Sequence, residues 1–203
     1  MIKRFLFFVL FLFPVWVNAQ QFAFELWHEG KVVLETSDTL KGLVKYDIQN
    51  DLLQIKSKGK LESFTARKVL FFEIFDSTVK RYRQFYSLPY SVNNTYKTPT
   101  YFELLCEGKI TLLGREKLEY RTTSSSFYYY GTYTKLVLVN IYYLLKPNGN
   151  IEEFSGRKSD WISLMEDRDR EVRGFAKDNR LDFDDKYELA RIVSYYNSLF
   201  DKR

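Results

Sequence analysis

From Phe22 to Phe154 the chain alternates apolar and polar positions in short runs separated by turn residues. Leu40, Gly42, Val44, Tyr46 and Ile48 share one side of such a run, with Lys41, Lys45 and Asp47 on the other. A period of two predicts a half-buried antiparallel strand. Gln49–Asp51 is a polar turn, Leu52–Lys56 returns, and Lys58–Lys60 turns again before Leu61–Thr65. Val69–Phe75 is apolar on both sides except at Glu73, which predicts a central strand covered on both faces. Val79–Tyr86, Thr100–Leu105, Lys109–Gly114, Phe127–Tyr130, Leu136–Leu145 and Ile151–Phe154 continue the series. Short connections up to Tyr86 point to a β-meander. Ser87–Thr98 and Thr122–Ser126 read as loops.

One stretch occurs twice. Phe24–Leu34 and Phe102–Leu112 are identical at seven of eleven positions, and each carries a Glu-Gly pair, at Glu29-Gly30 and Glu107-Gly108. Both are expected to be hairpins bent at that pair, and Tyr142–Ile151 is a looser third copy around Pro147–Gly149. Three irregularly spaced copies are too few for a solenoid or propeller.

After Phe154 the period changes to that of a helix. Trp161, Leu164 and Met165, then Val172, Phe175 and Ala176, recur at helical spacing. Leu189, Ile192, Val193, Tyr196 and Leu199 form one apolar stripe, with Asp182 or Asp184 expected as its cap and Ser159 as the cap of the first helix. Such short helices must pack on the β region. The expected fold is mainly β, α+β overall: an antiparallel β-sandwich or partly closed barrel or meander with a small C-terminal helical cap. Residues 20–156 form the β domain and 157–203 the helical segment.

The leader fixes the expected location. Lys3 and Arg4 precede an apolar run from Phe5 to Val17, and Val17-Asn18-Ala19 suits cleavage after Ala19. Residues 1–19 therefore read as a secretory signal peptide, with no integral membrane span after cleavage. Export to the periplasm, cell surface or medium follows. An outer-membrane barrel fits poorly with a charged helical C-terminus.

Composition narrows the function. Aromatic residues make up 18% of the 203 residues, which favours strands. The net charge of +5 includes the two leader cations, and the remainder is too evenly mixed to demand nucleic acid. Cys106 is the single cysteine, on an apolar strand side, and reads as a buried inert thiol. His28 is the single histidine, too few for a His-based metal site. The acids from Asp178 to Asp185 lack the spacing and glycine of a calcium loop and suit helix capping. No metal and no cofactor is expected.

Trp161–Phe200, with Tyr195-Tyr196-Asn197 near its end, and Ser37–Gly42 resemble segments of an uncharacterised, signal-peptide-bearing exported protein family of Bacteroidota-type bacteria. Ser37 stands where that family's pattern has Gly. The resemblance implies export and brings no catalytic residue or ligand with it.

Three functions follow as expectations. The first is a non-catalytic envelope protein that binds or supports another envelope component. The second is a glycan or small-ligand binder using an exposed aromatic strip of Tyr128, Tyr130 and Tyr133, extended by Tyr82, Tyr86, Tyr90, Tyr96 and Tyr101. The third is a carboxylate-based hydrolase, for which Glu73, alone in an apolar strand, with Glu103 and Glu107, would supply the acids. Basic strips at Lys56, Lys58, Lys60, Arg67 and Lys68, and at Lys80, Arg81 and Arg83, suit either anionic partners or a solvated strand face.

Overall fold

A computed structural model describes residues 22–91, 96–124 and 132–200, with the backbone alone at 123, 124 and 133. The expected signal peptide lies outside them. Among the described residues ten strands form one antiparallel sheet: β1 (His28–Leu34), β2 (Thr39–Asp47), β3 (Leu52–Ser57), β4 (Lys60–Thr65), β5 (Val69–Asp76), β6 (Arg81–Tyr90), β7 (Thr98–Cys106), β8 (Thr111–Ser124), β9 (Thr132–Leu145) and β10 (Ile151–Phe154). Three helices follow: α1 (Lys158–Leu164), α2 (Asp169–Asp178) and α3 (Lys186–Ser198).

The spatial order is β10-β9-β8-β7-β6-β5-β1-β2-β3-β4. Two meanders therefore meet at the β1–β5 ladder. The chain runs outward to the β4 edge and returns to the centre through a 3-10 turn at Ala66–Lys68. Ala66 is buried, and its carbonyl accepts a 2.6 Å hydrogen bond from Ser87 Oγ, which fixes the return.

The sheet is open but strongly rolled. Tyr46 on β2 and Tyr101 on β7 lie four ladders apart, about 19 Å in a flat sheet. Their ring centroids are nonetheless 5.4 Å apart, edge to face. Arg115 of β8 likewise reaches Asp51, in the turn after β2, at 3.1 Å. The mainly β architecture with a helical cap matches the alternation of the sequence, as one rolled sheet rather than two.

The inner face carries two apolar cores. Val32, Val44, Leu53, Ile55, Phe72, Phe85 and Tyr101 pack at the β1–β5 junction. Leu112 and Leu144 pack against Trp161, Met165, Val172, Leu189, Ile192 and Tyr196 of the helical cap. Asp185, rather than Asp182 or Asp184, caps α3, accepting from Tyr187 N and Glu188 N. Ser159 lies inside α1 and does not cap it: Arg157 holds the cap position, and its N–H donates to Asp160 Oδ2 at 2.8 Å.

Two further expectations need correction. Phe24–Leu34 is not a hairpin: Ala23–Glu25 is a 3-10 turn, and β1 runs straight through Gly30, which pairs with Gly42 on one side and Ile74 on the other. A Cβ at Gly30 would lie 2.3 Å from the Glu73 carbonyl oxygen, so this glycine serves a close approach between strands. Nor is β5 covered on both faces. Leu70 and Phe75 on its outer side are 47% and 37% exposed.

Candidate ligand-binding groove

The exposed outer face of β5 forms part of a groove of about 510 Å³ running across β3, β2, β1, β5 and β6. Two cross-strand rows build it. In the first, Lys41 pairs with Lys31, Lys31 with Glu73, and Glu73 with Gln84. In the second, Lys56 pairs with Leu43, Leu43 with Glu29, and Phe75 with Tyr82. Alternation along each strand sends these side chains outward because Val32, Val44, Phe72 and Phe85 fill the inner face.

The first row is electrostatically uneven. Like charges directly opposite on neighbouring strands repel, and Lys31 and Lys41 stand in that relation. Glu73 answers only Lys31, at 3.1 Å, and accepts from Gln84 Nε2 at 2.7 Å. Lys41 and Lys56 make no ion pair among the described residues. Lys56 lies over the Trp27 ring, 4.1 Å from its centroid. At the other end Tyr82 is 69% exposed and leans on Phe75, their centroids 5.1 Å apart. One end of the groove thus offers cations and the other an aromatic shelf.

Glu73 does not have the environment of a general acid. The hydrogen bond from Gln84, with help from Lys31, holds its carboxyl below the usual range against the opposing effect of burial. A general acid at neutral pH needs the opposite shift.

Beneath the sheet, a buried charge network ties the strands to α3. Arg83 binds Glu103 through two parallel 2.8 Å bonds, Asp76 at 3.1 Å and Glu116 at 2.7 Å. Lys186 of α3 reaches Glu103 at 3.0 Å and Glu116 at 2.6 Å. Burial alone would raise the Glu103 carboxyl, but Arg83 and Lys186 outweigh it and hold it low. Burial would likewise lower Lys186, and Glu103 reverses the direction. A small cleft of about 190 Å³ beside the network is lined by Arg81, Arg83, Tyr187 and Arg191. Every member of the network is engaged in charge-assisted bonds, the state of a structural ion cluster.

The aromatic strip is only partly described. Tyr128 and Tyr130 lie outside the described residues, as does the side chain of Tyr133, whose backbone in β9 pairs with Thr123 of β8. Tyr90 packs edge-on against Phe102 and Tyr143, at 5.4 and 5.5 Å. Tyr96 is 69% exposed just ahead of β7. Burial divides the strip: Tyr101 is in the core and Tyr90 in packing, Tyr86 stacks on Phe71 at 5.5 Å, and Tyr82 and Tyr96 are in solvent. The basic strips divide as well, since Arg83 is buried, Arg81 stacks on Tyr187 at 3.9 Å, and Lys56 faces the groove.

The sequence offers Tyr82 only as an outlying member of the aromatic strip and does not group it with Lys31, Lys41, Leu43 and Phe75, because only strand register brings these residues together. His28 is buried with Nε2 2.8 Å from the Ala23 carbonyl oxygen, a structural position. Among the described residues no three His, Cys, Asp or Glu side chains converge to hold a metal ion, and no helix is long and apolar enough to cross a membrane. Compared with protein-family models, with curated proteins and with solved structures, the chain matches none.

Proposed function

We propose that this is a non-catalytic exported protein that binds another component of the cell envelope, with the outer-face groove as its contact surface. The observation that carries the reading is the groove itself. Exposed Tyr82, Phe75 and Leu43 share the groove with Lys41 and Lys56, which have no acidic partner among the described residues. Solvated charges and buried apolar groups are what a strand face needs for folding alone; exposed aromatics in a concave setting suit recognition. The signal-peptide-like leader supports an envelope location. The engagement of Glu73 and Glu103 in ion pairs supports binding over acid–base chemistry.

Affinity purification of the tagged full chain from the envelope of its own cells in mild detergent tests this. A stoichiometric component should be recovered with the native protein and lost with Tyr82→Ala and Lys41→Glu, both changes at exposed positions. Recovery that is unchanged in both variants would remove the groove from the interaction. Recovery of no component would count against the binding function.

A further inference from the structure

We propose that the groove takes an acidic oligosaccharide of sparse charge, a chain bearing carboxylated sugars. A sugar ring lies on the Tyr82–Phe75 shelf and a carboxylate lies between Lys41 and Lys31. This rests on the reading of the groove as a binding surface and adds the chemistry of its ligand.

The dimensions argue for a chain of several sugars. Lys41 on β2 and Tyr82 on β6 are separated by three ladders, or about 14 Å across a sheet. A small inorganic anion would use the lysines and leave the aromatic end unoccupied. The volume of about 510 Å³ lies in the range of sites for molecules of several rings.

The charge pattern argues for sparse acidity. Lys31 and Lys41 face each other, and an anion between them relieves the repulsion that Glu73 relieves only for Lys31. Glu29 and Glu73 line the same groove. Two carboxylates repel a uniformly polyanionic strand such as nucleic acid or a densely sulfated chain. They accept hydrogen bonds from sugar hydroxyls, and Gln84 adds an amide beside Glu73.

The backbone argues against a peptide. An extended peptide gains its affinity by adding to an open strand edge. The groove crosses the sheet face over β1, β2 and β5, whose main-chain groups are paired on both sides in the ladders. Only side chains are offered to the ligand, as suits a molecule recognised by hydroxyls, a charge and a stacking face.

Isothermal titration of the full chain with a hyaluronan tetrasaccharide, in which alternate sugars carry a carboxylate, and with maltotetraose, tetraglutamate and a heparin tetrasaccharide provides the test. The hyaluronan tetrasaccharide should bind, more weakly as salt rises, and the other three should bind at least about tenfold more weakly. Tyr82→Ala and Lys41→Gln should each weaken the hyaluronan tetrasaccharide by about tenfold, while thermal unfolding stays unchanged. Equal or tighter binding of maltotetraose, tetraglutamate or heparin tetrasaccharide would overturn the assignment, as would an unchanged dissociation constant in either variant. Capture of an envelope component that depends on Tyr82, combined with no binding of the hyaluronan tetrasaccharide, would sink the saccharide and leave the binding function standing.

Discussion

Asn197 of α3 closes over Gly108 in the turn between β7 and β8. Its Oδ1 accepts from Ile110 N at 2.8 Å, and its Nδ2 donates to the Ile110 and Glu107 carbonyls at 2.8 and 3.1 Å. Gly108 has φ 149° and a Cβ there would sit 2.6 Å from the Asn197 amide. The last helix and the hairpin are thus held by one buried side chain. Asn197→Ala should cost about 2–3 kcal/mol, from three lost bonds and buried backbone groups left without partners. Asn197→Asp should cost at least as much at neutral pH, since it sets a carboxylate against two carbonyls. The Asp variant should then gain on wild type as pH falls, because folding favours its protonated, donating form. Urea unfolding of both variants between pH 4 and 8 would show this.

Removing Lys186 should hurt more than removing Glu116. Two cations and three acids make up the network, so Lys186→Met leaves three carboxylates around Arg83 alone. An unmatched buried charge costs about 3–5 kcal/mol. Glu116→Gln removes one acid from a cluster that has one in excess and keeps an acceptor, and should cost about 1 kcal/mol. Urea midpoints at constant slope would give the order, and a reversal would mean that the network does not act as a unit.

The eleven-residue repeat shows how far local pattern carries. Phe102–Leu112 is a hairpin with its turn at Glu107-Gly108, as expected, and Tyr142–Ile151 turns at Lys146–Gly149. Phe24–Leu34 has the same letters and no turn, because β1 is flanked by β2 and β5 and its glycine admits the Glu73 carbonyl. Nothing within eleven residues distinguishes a glycine that turns from one that lets a neighbour in. The strand pattern and the helical cap are local properties and could be read from alternation. The groove depends on the register of Lys41, Lys31, Glu73 and Gln84 across four strands, and the charge network on α3 meeting β7 and β8; both are set by tertiary pairing. Glu103 inside an apolar run and Arg83 among aromatics are the signs of the network in the sequence, and neither names its partner.

Gly30→Ala and Gly42→Ala should each destabilise the fold by about 1–3 kcal/mol, the range for overpacking. A Cβ at Gly42 would sit 2.1 Å from the Lys56 carbonyl oxygen, and the two glycines face each other in the ladder. Gly149→Ala should cost less, since no atom lies within 4 Å of its added Cβ and the penalty is only that of φ 79°. Thermal unfolding of the three variants would rank them, and equal losses would exclude close strand approach as the reason for Gly30 and Gly42.

The charge network should also set the acid limit of stability. Glu103 and Asp76 are both held below the usual carboxylate range. In each, the bonds from the network or from Thr78 overcome the upward effect of burial. A depressed folded value contributes stability that is complete above the unfolded value, near pH 4–4.5, and is lost as pH falls through the folded value. Lys186 is raised, so its contribution is complete below about pH 10 and is lost only above that. Stability should therefore be flat with respect to the network from about pH 5 to 10 and fall below pH 4.5. Glu103→Gln should be less stable than wild type at pH 7, and the gap should narrow toward pH 2. A gap that stays constant with pH would place the acid sensitivity elsewhere.

Cys106 should be unreactive while the protein is folded. It sits at the end of β7 against the helical cap, and burial pushes its thiol up to about 11, with Ser194 and the Leu112 backbone only partly opposing this. The thiolate is the reactive form. At pH 8 a thiol of this kind is roughly one part in a thousand ionised, against about a quarter for an unperturbed cysteine. Alkylation by iodoacetamide at pH 8 should be at least about a hundredfold slower in the native protein than in 6 M guanidinium. The native rate should rise in Asn197→Ala, which loosens α3 from the hairpin beside this thiol. A native rate equal to the unfolded one would mean that the helical cap does not stay seated over β7.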